Sequence, residues 1–398
     1  MAHTDATSQA TRRSELPGRF DRGLLLAALG LAGLGVVMVA SSSIPVADNQ
    51  HIGPFYYMTR HLMFLAGGLL IAFIATRVEL EHVERYSFVL LMLAIVLLLS
   101  VFVPGLGMRI NGARRWIHLG ISGFQPVEAV KLMLVAYLSS YLVRHREGVQ
   151  RQLLGVIKPV LVSGLIVGLL LLQPDFGSAA LIVATTIGMI WLGGARMRNL
   201  FALALPLMPA LAWAAMTEDY RVKRLTSFLD PWADPFNDGF QLTQALIAIG
   251  RGEWFGVGLG GSVQKLFYLP EAHTDFILAV IAEELGLFGV VLVLGLFAWL
   301  CGRGLMIGAR AVQAGLYYQG YVAFGISLFI ALQALVSVGV NLGVLPTKGL
   351  TLPLISSGGS SVLMTCAMVG VLLRVSYELT REEAQSASRE RTEAGVWA

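Results

Sequence analysis

The sequence predicts an all-α polytopic membrane protein with ten transmembrane helices, and three observations predict it. Of its 398 residues, 56% are apolar and only 14% charged, with a mean hydropathy of +0.70, far from the balance of a soluble domain. Apolar runs of about 20 residues recur along the chain, the length of a bilayer-crossing helix, and an open sheet cannot make that crossing. Between the runs, short basic segments alternate with longer polar segments rich in Gly, Pro and charged side chains.

Residues 1–23 are polar and carry Arg12, Arg13, Arg19 and Arg22. The apolar run after them has full spanning length, so they read as a cytoplasmic tail before a retained first helix, not as a cleaved signal peptide. Hydropathy places spans at 24–43, 61–76, 86–103, 127–143, 156–172, 178–193, 200–216, 276–300, 316–340 and 361–377. Residues 24–377 therefore form the membrane domain, and the polar tail 378–398 is expected to be disordered beyond its first turns. With both tails on one side, short loops and tails there hold Lys and Arg in more than threefold excess over the short loops opposite. Both termini are accordingly expected in the cytoplasm. Cys301 and Cys366 fall at different depths, so no disulfide is expected.

This parity puts nearly every unusual polar stretch on the outer face: N-G-A-R-R-W-I-H (111–118), G-F-Q-P-V-E-A-V-K (123–131), L-Q-P-D-F-G-S (172–178), the long loop 217–275 and P-T-K-G-L-T-L-P-L-I-S-S-G-G-S-S (346–361). An outer loop as long as 217–275 is usually functional. Within it, 230–239 is turn-rich, and 241–249 is an apolar helix too short to span that would lie in or dip into the outer leaflet. The run G-V-G-L-G-G-S (256–262) lacks the Lys-Ser/Thr ending of a phosphate-binding P-loop and follows no strand. It reads as a flexible hinge, with a backbone anion nest as the alternative. Pro206 and Pro209 should kink the seventh span.

Chemistry concentrates in K-L-F-Y-L-P-E-A-H-T-D-F-I-L-A-V-I-A-E-E-L-G (265–286). Asp275 stands where an N-cap stands, ahead of a helix beginning at Phe276, and could simply accept from its first free amides. It could equally act as general base on an acceptor hydroxyl, although a helix N-terminus lowers carboxylate basicity unless burial offsets it. Glu283 and Glu284 would fall ~12 Å further down that helix at 1.5 Å per residue. So deep in a bilayer a charge costs about 3 kcal/mol, so both should face the interior with partners. Glu128 and Lys131, three residues apart in the first turn of the fourth span, share a helix face. They form either a self-satisfied ion pair or a lysine offering charge to a diphosphate. Arg109, Arg114, Arg115, Lys265 and Lys348 make an outer basic set able to grip phosphates, each one ordinary surface charge when taken alone. His273 and Ser360 complete the candidate substrate contacts. Ser360 lies in the G-G-S-S start of the last span, where small residues allow close backbone approach or bare amides facing a ligand. No His/Cys/carboxylate group has metal-site spacing, and no Ser-His-Asp signal stands out.

Taken together and in order, N-G-A-R-R-W-I, Q-P-V-E-A-V-K-L, Q-P-D-F-G-S-A, the 265–286 stretch and L-T-L-P-L-I-S-S-G-G-S-S closely resemble the SEDS family (shape, elongation, division, sporulation) of bacterial peptidoglycan polymerases. The segment 341–353 is similar to the division branch rather than the elongation branch, and Ser357 departs from the Tyr often found before the final glycines. The resemblance implies a ten-helix SEDS-type fold in the bacterial inner membrane at the division septum, and an enzyme that polymerises lipid II on the outer face. It carries the family's essential Asp onto Asp275 and its membrane ion pair onto Glu128 and Lys131. It implies a divalent cation, Mg²⁺ or Mn²⁺, and no organic cofactor. Implied partners are lipid II, membrane lipids, a class B penicillin-binding protein transpeptidase and the FtsQLB division complex, with no nucleic acid. The alternatives are a lipid II flippase or other transporter, an elongation-type polymerase, and a scaffold whose outer motifs only dock partners.

Overall fold

The computed structural model describes residues 18–110, 113–118, 123–202, 205, 209, 216, 228–237, 239–266, 268–346 and 349–396. Helices α1 (Arg22–Asn49), α2 (Tyr56–Arg77), α3 (Leu80–Arg85) and α4 (Ser87–Ser100) come first. Strands β1 (Gly107–Ile110), β2 (Ala113–His118) and β3 (Gly123–Phe124) follow as one sheet in that order. The chain continues with α5 (Pro126–Arg144), α6 (Arg146–Arg151), α7 (Leu153–Leu172), α8 (Phe176–Leu192), α9 (Phe240–Gly252), α10 (Ile277–Gln313), α11 (Tyr317–Asn341) and α12 (Gly359–Val396). Seven of these helices are long and apolar enough to cross a membrane, and α4 and α8 are shorter apolar helices. All of these coincide with expected spans. The seventh expected span, 200–216, and the kink assigned to its prolines lie largely outside the described residues.

Hydrogen bonds sort the polar groups of the bundle into two ends. At the tail end, Asp21 caps α1 by accepting from Leu24 N–H at 2.7 Å and pairs with Arg303. There Thr380 Oγ1 accepts from Arg19 N–H, Arg310 pairs with Glu383 at 2.7 Å, and Glu378 accepts from Leu80 N–H at 3.1 Å. At the loop end, Ser360 Oγ accepts from Gln125 N–H at 3.0 Å, His273 C=O accepts from Ser357 N–H at 3.0 Å, and Ser356 Oγ donates to Thr274 C=O at 2.6 Å. The membrane portion thus begins and finishes at one end, and the motif-bearing segments gather at the other.

Small residues set a close helix crossing between α2 and α12. A Cβ built on Gly359 would lie 2.6 Å from the Phe64 ring, on Gly68 2.9 Å from Cys366 Sγ, and on Gly370 2.5 Å from Ala72 C=O. Backbones that approach this closely gain dispersion contacts, a main attraction between helices once lipid replaces water, and Arg374 Nη1 adds a hydrogen bond to Thr76 C=O at 3.2 Å. Both cysteines are buried and free.

The helical class holds, with one local addition: the loop between α4 and α5 folds as a small antiparallel sheet. Ile110 pairs with Ala113 across the Asn-Gly dipeptide at 111–112, a strong short-range hairpin signal that the membrane composition masked. The tail 378–398 is not disordered after its first turns, because α12 continues as helix to Val396.

A further finding concerns α10, expected as one span over 276–300. It breaks at Gly286, whose φ of 66° and ψ of −164° lie in a region open essentially only to glycine. The break leaves carbonyls at the end of the short arm 277–285 and amides at the start of the long arm without helical partners. The loop after α9 satisfies both sets. Val257 and Gly258 N–H donate to Glu283 and Glu284 C=O at 2.9 and 3.0 Å, while Glu253 and Trp254 C=O accept from Leu287 and Phe288 N–H at 2.9 and 3.2 Å. The glycine run is therefore no flexible hinge. Gly256 and Gly258 take positive φ to form a backbone clasp over the break. A Cβ on Gly286 would fall 2.4 Å from Gly256 N and 2.5 Å from Trp254 C. Gly286→Ala is expected to cost about 3 kcal/mol and lower the unfolding temperature in detergent. Gly295→Ala, with open space around its Cβ, is the neutral control in the same helix.

Candidate active site

The site grows from the clasp. Glu283 and Glu284 are fully buried on the short arm of α10, and as expected both have partners. Glu283 accepts from Arg251 Nη1 at 3.0 Å, from Ser262 Oγ, and from Val263 and Gln264 N–H at 3.0 and 3.4 Å. Glu284 accepts from Lys265 Nζ at 2.6 Å and from Ser41 Oγ of α1 at 2.8 Å, and Lys265 Nζ also donates to Ser41 Oγ at 2.9 Å. Lys265 is only 6% exposed. Its charge is matched inside the protein by Glu284. The two pairs fasten loop segment 251–265 to the short arm on which the next ten residues converge.

Those residues bring Asp275 to the loop end, half-buried. It is not the N-cap: that position is Phe276, whose side chain makes no cap hydrogen bond. Asn341, at the end of α11 and fully buried, does the capping instead. Its Oδ1 accepts from Ala279 N–H at 3.1 Å while its Nδ2 donates to Asp275 C=O at 2.9 Å and to Ser337 C=O at 2.8 Å. Its side chain thus holds the Asp275 backbone. The carboxylate faces residue 349: a Cβ built on Gly349 would lie 3.0 Å from Asp275 Oδ2. His273, two residues earlier, packs its ring against Tyr57 at 5.0 Å between centroids. Its Nδ1 is buried with no hydrogen-bond partner. Burial holds its imidazole below the usual histidine range, outweighing the opposing pull of Glu271, so the ring is neutral near pH 7.

Lys131 and Glu128 form their pair at 2.7 Å, with side chains 0% and 9% exposed. Lys131 Nζ also donates to Gln333 Oε1 at 3.2 Å and lies 4.9 Å from the Phe329 ring centroid. Gln333 Nε2 passes the connection on to Thr351 C=O at 2.9 Å, and Thr351 Oγ1 donates to Ser361 Oγ at 2.9 Å. The pair therefore braces the 349–361 loop that faces Asp275. Ser360 is 3% exposed, and its Oγ holds the entry of α5 at Gln125.

Of the outer arginines, Arg109 and Arg114 are directly opposed across β1 and β2, which puts both exposed side chains on one face of the hairpin. The register slips between Met108 and Arg109 so that Trp116 opposes Met108 and Arg114 opposes Arg109. Arg115 is the extra residue of that bulge, and bulges re-aim side chains. It reaches the Gln173 C=O at 3.1 Å and the Pro174 C=O, clamping the turn before α8. Lys348 lies outside the described residues. Among the described residues no three His, Cys, Asp or Glu side chains converge as metal ligands. Sequence reasoning missed Asn341, Gln333, Arg251 and Gly349. Nothing in local spacing connects Asn341 to a helix 62 residues away along the chain.

A bundle of apolar helices long enough to cross a membrane, with an acid-bearing loop at one end clasped over a broken span, defines a polytopic membrane protein. The model of the cell cycle protein family FtsW/RodA/SpoVE matches residues 22–381, and the chain belongs to that family. The probable peptidoglycan glycosyltransferase FtsW of Xanthomonas oryzae pv. oryzae is 58% identical over 95% of this chain and 77% of its own length. That of Coxiella burnetii is 48% identical over 92% of this chain and 99% of its own. Among solved structures, a chain from a peptidoglycan synthase complex that coordinates polymerization and crosslinking matches with TM-score 0.74 at 32% identity, covering 90% of this chain and 98% of that one. The rod shape determining protein RodA of Thermus thermophilus matches with TM-score 0.65 at 30% identity, covering 90% and 96%.

Proposed function

We propose that this protein polymerises lipid II into glycan strands during cell division, as an inverting peptidoglycan glycosyltransferase with Asp275 as general base. The observation that carries the reading is the half-buried Asp275 carboxylate, at the end of the bundle where the motifs gather, on a backbone pinned by Asn341. The naming of relatives at 58% and 48% identity as probable peptidoglycan glycosyltransferases supports it. Asp275 takes the proton of the acceptor sugar's 4-hydroxyl as that oxygen attacks the anomeric carbon of the lipid-linked donor. The bond from that carbon to the diphosphate oxygen breaks, the centre inverts, and the lipid diphosphate leaves. Exposed Arg109 and Arg114 are placed to meet its charge. The free energy comes from the donor's diphosphate linkage, so no nucleotide is needed. Magnesium is commonly held by one or two carboxylates plus substrate phosphates. Among the described residues no cluster of carboxylates is built to hold one, so a cation would arrive on the diphosphate itself.

In this reading the loop end lies outside the cytoplasm and both tails inside, and the excess of Lys and Arg in the short loops and tails of the tail side supports it. A class B penicillin-binding protein transpeptidase is the expected partner, in keeping with the peptidoglycan synthase complex among the structural neighbours. The FtsQLB complex and a septal location follow from the division reading. The transporter alternative drew on Glu283 and Glu284 as intramembrane acids, and both are now committed to Arg251 and Lys265.

The decisive experiment reconstitutes the purified protein in vesicles with lipid II presented on one side, with and without the transpeptidase. Glycan strands support the proposal; translocation of lipid II without glycan sinks it in favour of transport. A subtler expectation concerns Gly349→Ala. The added methyl presses Asp275 Oδ2 aside by a few tenths of an ångström, and misplacement on this scale lowers turnover by about tenfold. The unfolding temperature should stay unchanged, because residue 349 is exposed.

A further inference from the structure

The clasp over the helix break has a second side. Away from Glu283 and Glu284 it presents Trp254 at 70% and Phe255 at 85% exposure. Their backbone is bonded to the start of the long arm of α10 through the Glu253 and Trp254 carbonyls, which accept from Leu287 and Phe288 N–H. Leu287 and Phe288 are themselves 45% and 66% exposed, with Val291 exposed one turn on. They sit on a helix long and apolar enough to cross a membrane. Large apolar side chains exposed on such a helix face lipid. The two aromatics of the clasp are thus continuous with a lipid-facing stripe and tied to its first two residues.

Depth points the same way. From Leu287 to Arg303, which pairs with Asp21 at the tail end, the long arm measures ~24 Å at 1.5 Å per residue, against a hydrocarbon core of about 30 Å. The clasp therefore lies at the far edge of the core and not in bulk water beyond it. Charge beside the aromatics is limited: the Arg251 guanidinium, though partly exposed, pairs with buried Glu283, and Glu253 stays exposed.

We propose that Trp254 and Phe255 insert into the interfacial zone of the loop-end leaflet. There they anchor the clasp, and with it the short arm below Asp275, at a set depth in the membrane. The occupant of this surface is the glycerol and carbonyl region of the lipids, which accepts an indole N–H and accommodates the ring bodies.

Tryptophan emission of the full chain in lipid nanodiscs tests this. Subtracting the spectrum of Trp254→Phe isolates one residue among seven tryptophans. The difference emission should be blue-shifted and lose intensity to lipids brominated near the head-group end of the acyl chain, while aqueous iodide leaves it unchanged. Red-shifted emission quenched by iodide places the loop in water and overturns the proposal. Emission quenched by neither agent means protein covers the residue, which overturns it too. If Trp254→Phe fails to fold, a spin label on Phe255→Cys reads the depth instead, since the native cysteines are buried. Greater collision with oxygen than with a water-soluble nickel chelate supports the anchor, and the reverse refutes it.

Discussion

Asp275→Asn protein is expected to fold and insert normally and to leave lipid II almost unpolymerised, with turnover lower by roughly 10²–10⁴-fold, the range for losing a general base. Folding should survive because three bonds that position this loop go to main-chain carbonyls. Asn341 Nδ2 donates to Asp275 C=O, Ser356 Oγ to Thr274 C=O, and Ser357 N–H to His273 C=O. An amide in place of the carboxylate disturbs none of them. The measurement pairs an unfolding curve in detergent with gel analysis of glycan made from purified lipid II. A folded Asp275→Asn protein that polymerises at the parent rate would falsify the mechanism. Asp275→Glu should fall between the two, since its extra methylene drives the carboxylate against the backbone at Gly349.

The second large effect is on stability. Lys265→Met or Glu284→Met alone is expected to cost about 3–5 kcal/mol, because each leaves one unmatched charge inside the protein. Lys265 is 6% and Glu284 0% exposed, at 2.6 Å from each other. Changing both to Met removes both charges together and should restore the greater part of the loss. Unfolding temperatures of the two single variants and the double variant close the cycle. This experiment also separates two roles for Lys265. A lysine reserved for substrate phosphate would leave stability unaltered when replaced and would weaken only substrate binding.

Much of the site was legible from residue order, and what was missed has a common cause. The pairing of Glu128 with Lys131 follows from helical spacing, and the need of Glu283 and Glu284 for partners follows from the cost of charge in lipid. The short helix at 240–252 was readable as too short to span. The break at Gly286 was not readable, because glycine is common in membrane helices and its φ shows only once the clasp is present. The internal partners of Lys265 and Arg115 were equally hidden, since sequence gives a charge but not the groups it meets in the fold.

Composition, span length and the placement of Lys and Arg determined by themselves that this chain is a helical membrane protein with its motifs gathered at one end, because solvent preference acts on each residue separately. The tertiary structure alone decided that Asn341 rather than Asp275 caps the helix, that the glycine run is a clasp, and that the acid faces Gly349. Those outcomes depend on groups far apart in the chain competing for the same amides and carbonyls, and a buried donor or acceptor must find a partner wherever the fold supplies one.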